Sequence, residues 1–315
     1  MPKKERELYG LDIEHRISQL QKCEMSKKNK EIILTFLEEL YAQGMTDHRV
    51  AKYISSMKRI FLDIGKDFDT VTEQDLKRYV GKLERSDLKD WTKHDRKIIL
   101  RIIYKWQFGK ELTWVHTKIP RHKRKLPTEL ITEDEVQRMI GQAWNPRDRA
   151  MIALLWDAGL RIGELASMKI GSFQPDEKGA VIFISGKTGM RRIRTVFSVP
   201  YMLAWIEKHP EKENPHAPLW IVIGKRDGKW ETVTYYTIRS QLQKIATRAG
   251  VKKNVNPHQF RHSRATYMAS YMTPSQLCTY FGWTPDSDMP GVYVHLSGTD
   301  LDDIVFKANG TRNIE

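Results

Sequence analysis

His258 and Arg261 stand three residues apart in PHQFRHSRAT. Asn256 and Pro257 open a helix there, as N-cap and first helical residue, so the two side chains share one face. A histidine and an arginine so placed can contact one phosphate together; the same spacing also serves packing or solvent. Arg161 lies in AGLRIGELASM with Glu164 three residues on, a spacing that equally makes a local ion pair. Lys187 sits in SGKTG, a turn where an exposed lysine is unremarkable, and Tyr293 in GVYVHL offers a phenol or one more core aromatic. Taken singly, none of these residues defines a chemistry.

The elements that must position them follow from hydrophobic period and caps. Ser26 caps a helix carrying Ile33, Phe36, Leu37, Leu40 and Tyr41 up to Gly44; Thr46 caps another carrying Val50, Tyr53, Ile54, Met57, Ile60, Phe61 and Ile64 up to Gly65. Thr72 and Asp75 form a capping box before Leu76, Tyr79, Val80 and Leu83, and a fourth pattern runs through Ile98, Ile99, Ile102, Ile103 and Trp106 to Gly109. The expectation is a domain of about four helices over 26–112, preceded by a segment 1–25. A basic linker, 113–130, follows. Its KIPRHKRKL stretch carries Arg121, Lys123, Arg124 and Lys125, suited to solvent or to DNA phosphates. A second domain, 131–315, opens on the Thr132/Glu135 capping box. Asn145 and Pro146 start a helix through Trp156, and Gly159 ends it. Ala180–Ser185, the Gly186–Gly189 turn and Arg192–Val199 read as a β-hairpin, with Ile193 and Phe197 on one face and Arg192 and Arg194 on the other. Further helices cover Tyr235–Ala249 and start at Pro257 and Pro274. The fold class is mainly α with a small antiparallel β-sheet.

Composition narrows the partners. The chain has 315 residues, 40% of them apolar, and 53 Lys plus Arg against 39 Asp plus Glu, a net charge of +14. That length suits two domains, and that charge a polyanionic partner. Cys23 and Cys278 stand far apart with no CxxC or Cys/His cluster, so neither zinc nor another metal is indicated, and lone thiols suit a reducing cytosol. No apolar stretch is long enough for a membrane span or a secretory leader; a cytoplasmic protein is expected. G-x-x-x-x-G-K-[ST] does not occur, so no ATP loop is indicated, and no acidic triad suggests itself.

Order and context join the separate pieces. AGLRIGEL, SGKTG between two strands, HQFRHSRAT, and FGW followed by YVH resemble, in sequence order, the boxes of the tyrosine recombinases, also called the phage-integrase family. The resemblance covers nearly the whole chain, and Tyr293 follows Arg261 by 32 residues, as is typical there. YVHLSGTDLDD is similar to archaeal integrases. Trp283 stands where many members have His. The gap of ten residues from Trp283 to Tyr293 is one longer than expected, and Pro285 and Pro290 inside it suggest a loop more than a regular helix.

The resemblance implies a helical core-binding domain, a catalytic domain, and a site of Arg161, Lys187, His258, Arg261, Trp283 and Tyr293, with no cofactor. Arg161 and Arg261 would clamp the scissile phosphate with planar, permanent charge. Tyr293 would attack it, His258 would accept or relay the phenol proton, Lys187 would protonate the leaving 5′ oxygen, and Trp283 would donate an indole N–H. Glu164 would orient His258 or an arginine, and His262 would pack or support. Arg121, Lys123, Arg124, Lys125, Arg191, Arg192 and Arg194 would contact DNA. The expected activity is strand exchange at specific sites in double-stranded DNA through a 3′-phosphotyrosine, by a tetramer assembled on DNA. A mobile-element integrase is the first reading. The alternatives are a Xer-like dimer resolvase, a type IB topoisomerase-like enzyme, or a non-catalytic DNA-binding protein.

Overall fold

The computed structural model describes residues 10–119, 129–186, 189–224 and 228–294. The chain forms two compact units, Met1–Lys125 and Leu126–Glu315.

The described part of the first unit contains α1 (Ile13–Lys22), α2 (Lys27–Ala42), α3 (Asp47–Ile64), a 3₁₀ turn (Phe68–Thr70), α4 (Glu73–Arg85) and α5 (Asp90–Phe108). Ser26 accepts from Asn29 N, Thr72 and Asp75 close a capping box, and Gly65 and Gly109 end α3 and α5. The core lies around α3, against which α1, α2, α4 and α5 all pack. Its apolar face (Val50, Ile54, Met57, Ile60 and Phe61) is fully buried, the main source of stability for helices this short. Two features depart from the sequence reading. The segment expected before the domain contains α1, capped by Asp12 and anchored by buried Leu20. Val115, counted with the linker, packs into this core. The basic cluster Arg121, Lys123, Arg124 and Lys125 lies outside the described residues.

The second unit contains α6 (Glu133–Gln142), α7 (Pro146–Ala158), α8 (Ile162–Ala166), a 3₁₀ turn (Ile170–Ser172), β1 (Phe173–Asp176), β2 (Gly179–Gly186), β3 (Gly189–Thr195), α9 (Val199–Glu207), α10 (Tyr235–Arg248), α11 (Pro257–Ala269), α12 (Pro274–Phe281) and α13 (Met289–Val294). The sheet is antiparallel in the order β1-β2-β3, with Ile182 opposite Phe173 on one side and Ile193 on the other. α7 is buried on almost every side, with α6, α9, α11 and β3 packed on it. It is the central helix of the unit, and its buried charges are satisfied: Arg147 pairs with Asp148, and Asp157 accepts from the Val196–Ser198 turn.

The hairpin is confirmed, but its second strand ends at Thr195, and Val199 begins α9 instead of closing the strand. Asp157 Oδ2 dictates that switch: it accepts from Val196 N, Ser198 N and Ser198 Oγ, each at 2.9 Å, and pulls the chain off the sheet. β1 adds a third strand that is too short for an alternating pattern. The segment carrying Tyr293 is a short helix, not a loop, since Pro290 falls in its first turn, where no N–H is required. Lys187 and the tail from 295 onward, including its apolar residues, lie outside the described residues. Among the described residues, no helix is long and apolar enough to cross a membrane, no group of His, Cys, Asp and Glu is arranged to hold a metal, and both cysteines are free.

Candidate active site

The site begins where α7 stops. Gly159 ends that helix in the left-handed region, at φ 56°. A Cβ on it would fall 2.6 Å from the Phe281 ring, so only glycine lets α12 close over the helix end. Its carbonyl accepts from Arg261 Nη1 at 2.9 Å. Two residues later Arg161 caps α8, and Glu164 turns back to accept its backbone N–H at 2.8 Å.

Glu164 is 4% exposed and gathers arginines. Arg161 Nη1 donates to Oε1 at 2.9 Å; Arg191 donates Nη1 to Oε1 at 2.6 Å and Nη2 to Oε2 at 2.8 Å; Arg261 Nη1 stands 4.0 Å from Oε2. Burial raises the Glu164 carboxyl, but Arg191 and then Arg161 outweigh it and hold the group below its ordinary value. Three guanidiniums on one carboxylate leave the cluster cationic. Arg191, expected to contact DNA, instead has its side chain buried, committed to Glu164, and tied by Nε to Tyr280 O at 3.1 Å. The strand alternation carried the signal, because Arg191 lies two residues before inward-facing Ile193. Arg194 is also engaged, to both oxygens of Asp176 at 2.5 and 2.6 Å, whereas Arg192 is exposed.

Gly282, the αL residue ending α12, ties the last box to this cluster. Its carbonyl accepts from Arg161 Nη2 at 2.8 Å, and the preceding carbonyl, Phe281 O, accepts from Arg261 Nη2 at 2.5 Å. A side chain at Gly282 would place its Cβ 2.7 Å from Arg191 Nη1. Burial, with Arg161 next, pushes the Arg261 guanidinium down to about 9, against the pull of Glu164; it stays charged at neutral pH. Its guanidinium also lies over the Phe281 and Trp283 rings, at 5.2 and 5.5 Å.

Trp283 continues this stack. Its ring lies 5.0 Å from Phe281 and 5.4 Å from Tyr293, parallel to the latter within 1°. Tyr293 is 1% exposed, in a small core with Ala265, Leu277 and Phe281. Burial pushes its phenol up to about 12, and Arg261 opposes that. Its hydroxyl meets His262 Nδ1 at 2.5 Å. The histidine on the phenol is thus His262 and not His258, the residue expected to take its proton. His258 stays exposed at the first turn of α11, and partial desolvation, followed by Arg261 and Arg161, lowers its imidazole. The fold therefore unites Arg161, Glu164, Arg191, Arg261, His262, Trp283 and Tyr293 in one network. Lys187 falls outside the described residues, but Gly186, just before it, lies against Glu164: a Cβ there would stand 2.9 Å from Oε1.

Residues 129–299 match the phage integrase family. Among curated proteins, the chain is 28% identical to the tyrosine recombinase XerA of Pyrococcus horikoshii over 76% of this chain and 80% of that one. It is 26% identical to the XerA of Pyrococcus furiosus over 90% and 96%. Among solved structures, the XerH site-specific recombinase in its post-cleavage complex with palindromic difH aligns over 93% of both chains, at 17% identity and a TM-score of 0.65. A lambda integrase dimer on a COC′ core site aligns over 89% of this chain and 80% of that one, at 14% identity and a TM-score of 0.62. The chain belongs to the phage integrase family and is a tyrosine recombinase.

Proposed function

We propose that this recombinase cleaves and rejoins double-stranded DNA at specific sites through a 3′-phosphotyrosyl bond to Tyr293. The observation carrying this reading is the cationic cluster on Glu164 joined to the Tyr293 stack through Arg261. Attack on a phosphodiester gathers negative charge on the non-bridging oxygens. Arg161, its side chain 34% exposed, and Arg261 are held by carbonyls and a carboxylate before any phosphate arrives. Charge preorganised in this way is worth on the order of 10²–10³ in rate per group. His258, on the same face of α11, adds a hydrogen bond to the phosphate, and Trp283 holds the tyrosine ring. Lys187 serves as the acid for the departing 5′ oxygen. The covalent bond conserves the energy of the broken linkage, so a 5′ hydroxyl from another duplex completes exchange without ATP.

The first unit, the basic linker and Arg192 grip the duplex, and four copies synapse two duplexes through their C-terminal tails. A mobile-element integrase is the first biological reading. A Xer-like dimer resolvase is the second, favoured by the likeness to the XerA of Pyrococcus furiosus over 90% of this chain and 96% of that one. Recombination between two sites on one plasmid, compared with joining of two separate DNAs, tells the two apart.

The chemistry is tested with Tyr293→Phe on a nicked suicide duplex, which traps the adduct. The ring and its stack remain, so duplex binding is expected to persist while covalent adduct disappears from a denaturing gel. Adduct at wild-type yield would assign the nucleophile elsewhere.

A further inference from the structure

We infer that His262 is the base that takes the phenol proton of Tyr293. The inference rests on the proposal that Tyr293 is the nucleophile. Its carrying observation is the contact between His262 Nδ1 and the Tyr293 hydroxyl at 2.5 Å, with the two rings 5.8 Å apart. Among the described residues, no other side chain hydrogen-bonds that oxygen, and none links His258 to it.

The surroundings leave His262 free for this task. It is half-buried on α11, facing Tyr293 from α13 and, along its own helix, His258 and Arg261. The titratable groups on the other elements packed against α11 are directed elsewhere. Asp157 of α7 meets Arg264 and the Val196–Ser198 turn, Tyr280 of α12 donates to Asp157 O, and Cys278 donates to Thr284 O. Burial, then His258, then Arg261 lower the imidazole, so it is neutral and able to accept at neutral pH. His258, by contrast, sits at the exposed end of the helix with Arg261, where a phosphate can reach both.

Position along the helix makes the transfer workable. His258, Arg261 and His262 occupy little more than one turn of α11, about 6 Å of rise. As the tyrosine oxygen turns from its buried position toward a phosphate held at Arg261 and His258, it moves along the helix that carries its base. The Tyr293 O–H bond breaks and its proton passes to Nδ1, leaving imidazolium. The oxygen pair forms the bond to phosphorus. The P–O5′ bond breaks, and the leaving oxygen takes its proton from the proposed acid, Lys187. Rejoining runs the same steps backward, and His262 returns its proton to the phenol.

The test is single-turnover adduct formation on the suicide duplex from pH 5.5 to 8.5. Wild type is expected to rise with pH and level off once His262 is neutral. His262→Asn offers an oxygen near the Nδ1 position, so it keeps the hydrogen bond but cannot take a proton. Its rate is expected to fall about 10²-fold at pH 7 and to climb tenfold per pH unit without a plateau. His262→Ala is expected to recover with added imidazole. If His262→Asn stays within threefold of wild type, or falls with the wild-type plateau intact while imidazole fails to rescue His262→Ala, the base lies elsewhere. A check that survives misfolding of either variant is the ¹⁵N tautomer of His262 in the unaltered protein: Nδ1 must be the unprotonated nitrogen, and a protonated Nδ1 overturns the assignment. Adduct formation by Tyr293→Phe would instead defeat the underlying nucleophile reading, so the two failures are distinct.

Discussion

Glu164→Gln tests the keystone of the site. The carboxylate accepts four hydrogen bonds, two from Arg161 and two from Arg191, at 2.6 to 2.9 Å, and is almost wholly buried. Glutamine keeps the shape but has one acceptor oxygen, and its amide N–H groups would face guanidinium N–H groups, donor against donor. The buried Arg191 charge would lose its partner, and removing one member of a buried pair costs about 3–5 kcal/mol. At about 2–4 °C per kcal/mol for a unit of this size, the melting temperature is expected to fall by about 6–20 °C. Because Glu164 titrates below its ordinary 4.5 in the folded protein, its stabilisation is complete above about pH 4.5 and is lost as pH falls through the folded value. The gap between wild type and variant should therefore be full at pH 7 and narrow in acid. Circular-dichroism melts at pH 7 and pH 4 measure both quantities. A variant that melts within 2 °C of wild type at pH 7, or a gap that widens in acid, would falsify the keystone reading.

Gly282→Ala is expected to cost about 1–2 kcal/mol for a left-handed backbone alone, and more because the new Cβ displaces Arg191 from Glu164; a urea midpoint unchanged from wild type would show that Arg191 adjusts freely. Lys187→Ala should slow cleavage of ordinary DNA far more than cleavage of a 5′-bridging phosphorothiolate, whose sulfur leaves without protonation; equal slowing on both substrates would make Lys187 a phosphate-positioning residue. Excess EDTA is expected to leave cleavage unaltered, since Arg161 and Arg261 supply the charge on the phosphate. Abolition by EDTA with recovery on Mg²⁺, measured on preassembled complexes, would show that a metal takes part.

The sequence by itself determined the elements and the residue types of the site. Caps such as Ser26, Thr72 and Thr132 and helix-ending glycines such as Gly65 and Gly159 act within a few residues, and the helical period of α3 needs no partner to be visible. The arginine, histidine and tyrosine boxes were legible for the same reason, as short local strings. Features too short or too sparse for a period were not: α1 shows only Ile13, Ile17 and Leu20, and β1 turns a single apolar side chain inward.

Tertiary structure alone decided which charge meets which partner. His258, Arg261 and His262 all project from one stretch of α11, and nothing local says which ring meets a tyrosine 31 residues further on. That choice belongs to the packing of α13 on α11 and α12. For Arg191 the strand alternation gives the inward face, but only the packing of the hairpin against α8 selects Glu164, 27 residues away, as its partner. A buried carboxylate takes whichever guanidinium the fold brings within reach, because leaving either charge unpaired inside costs several kcal/mol, and that reach is set by long-range packing, which no local spacing records.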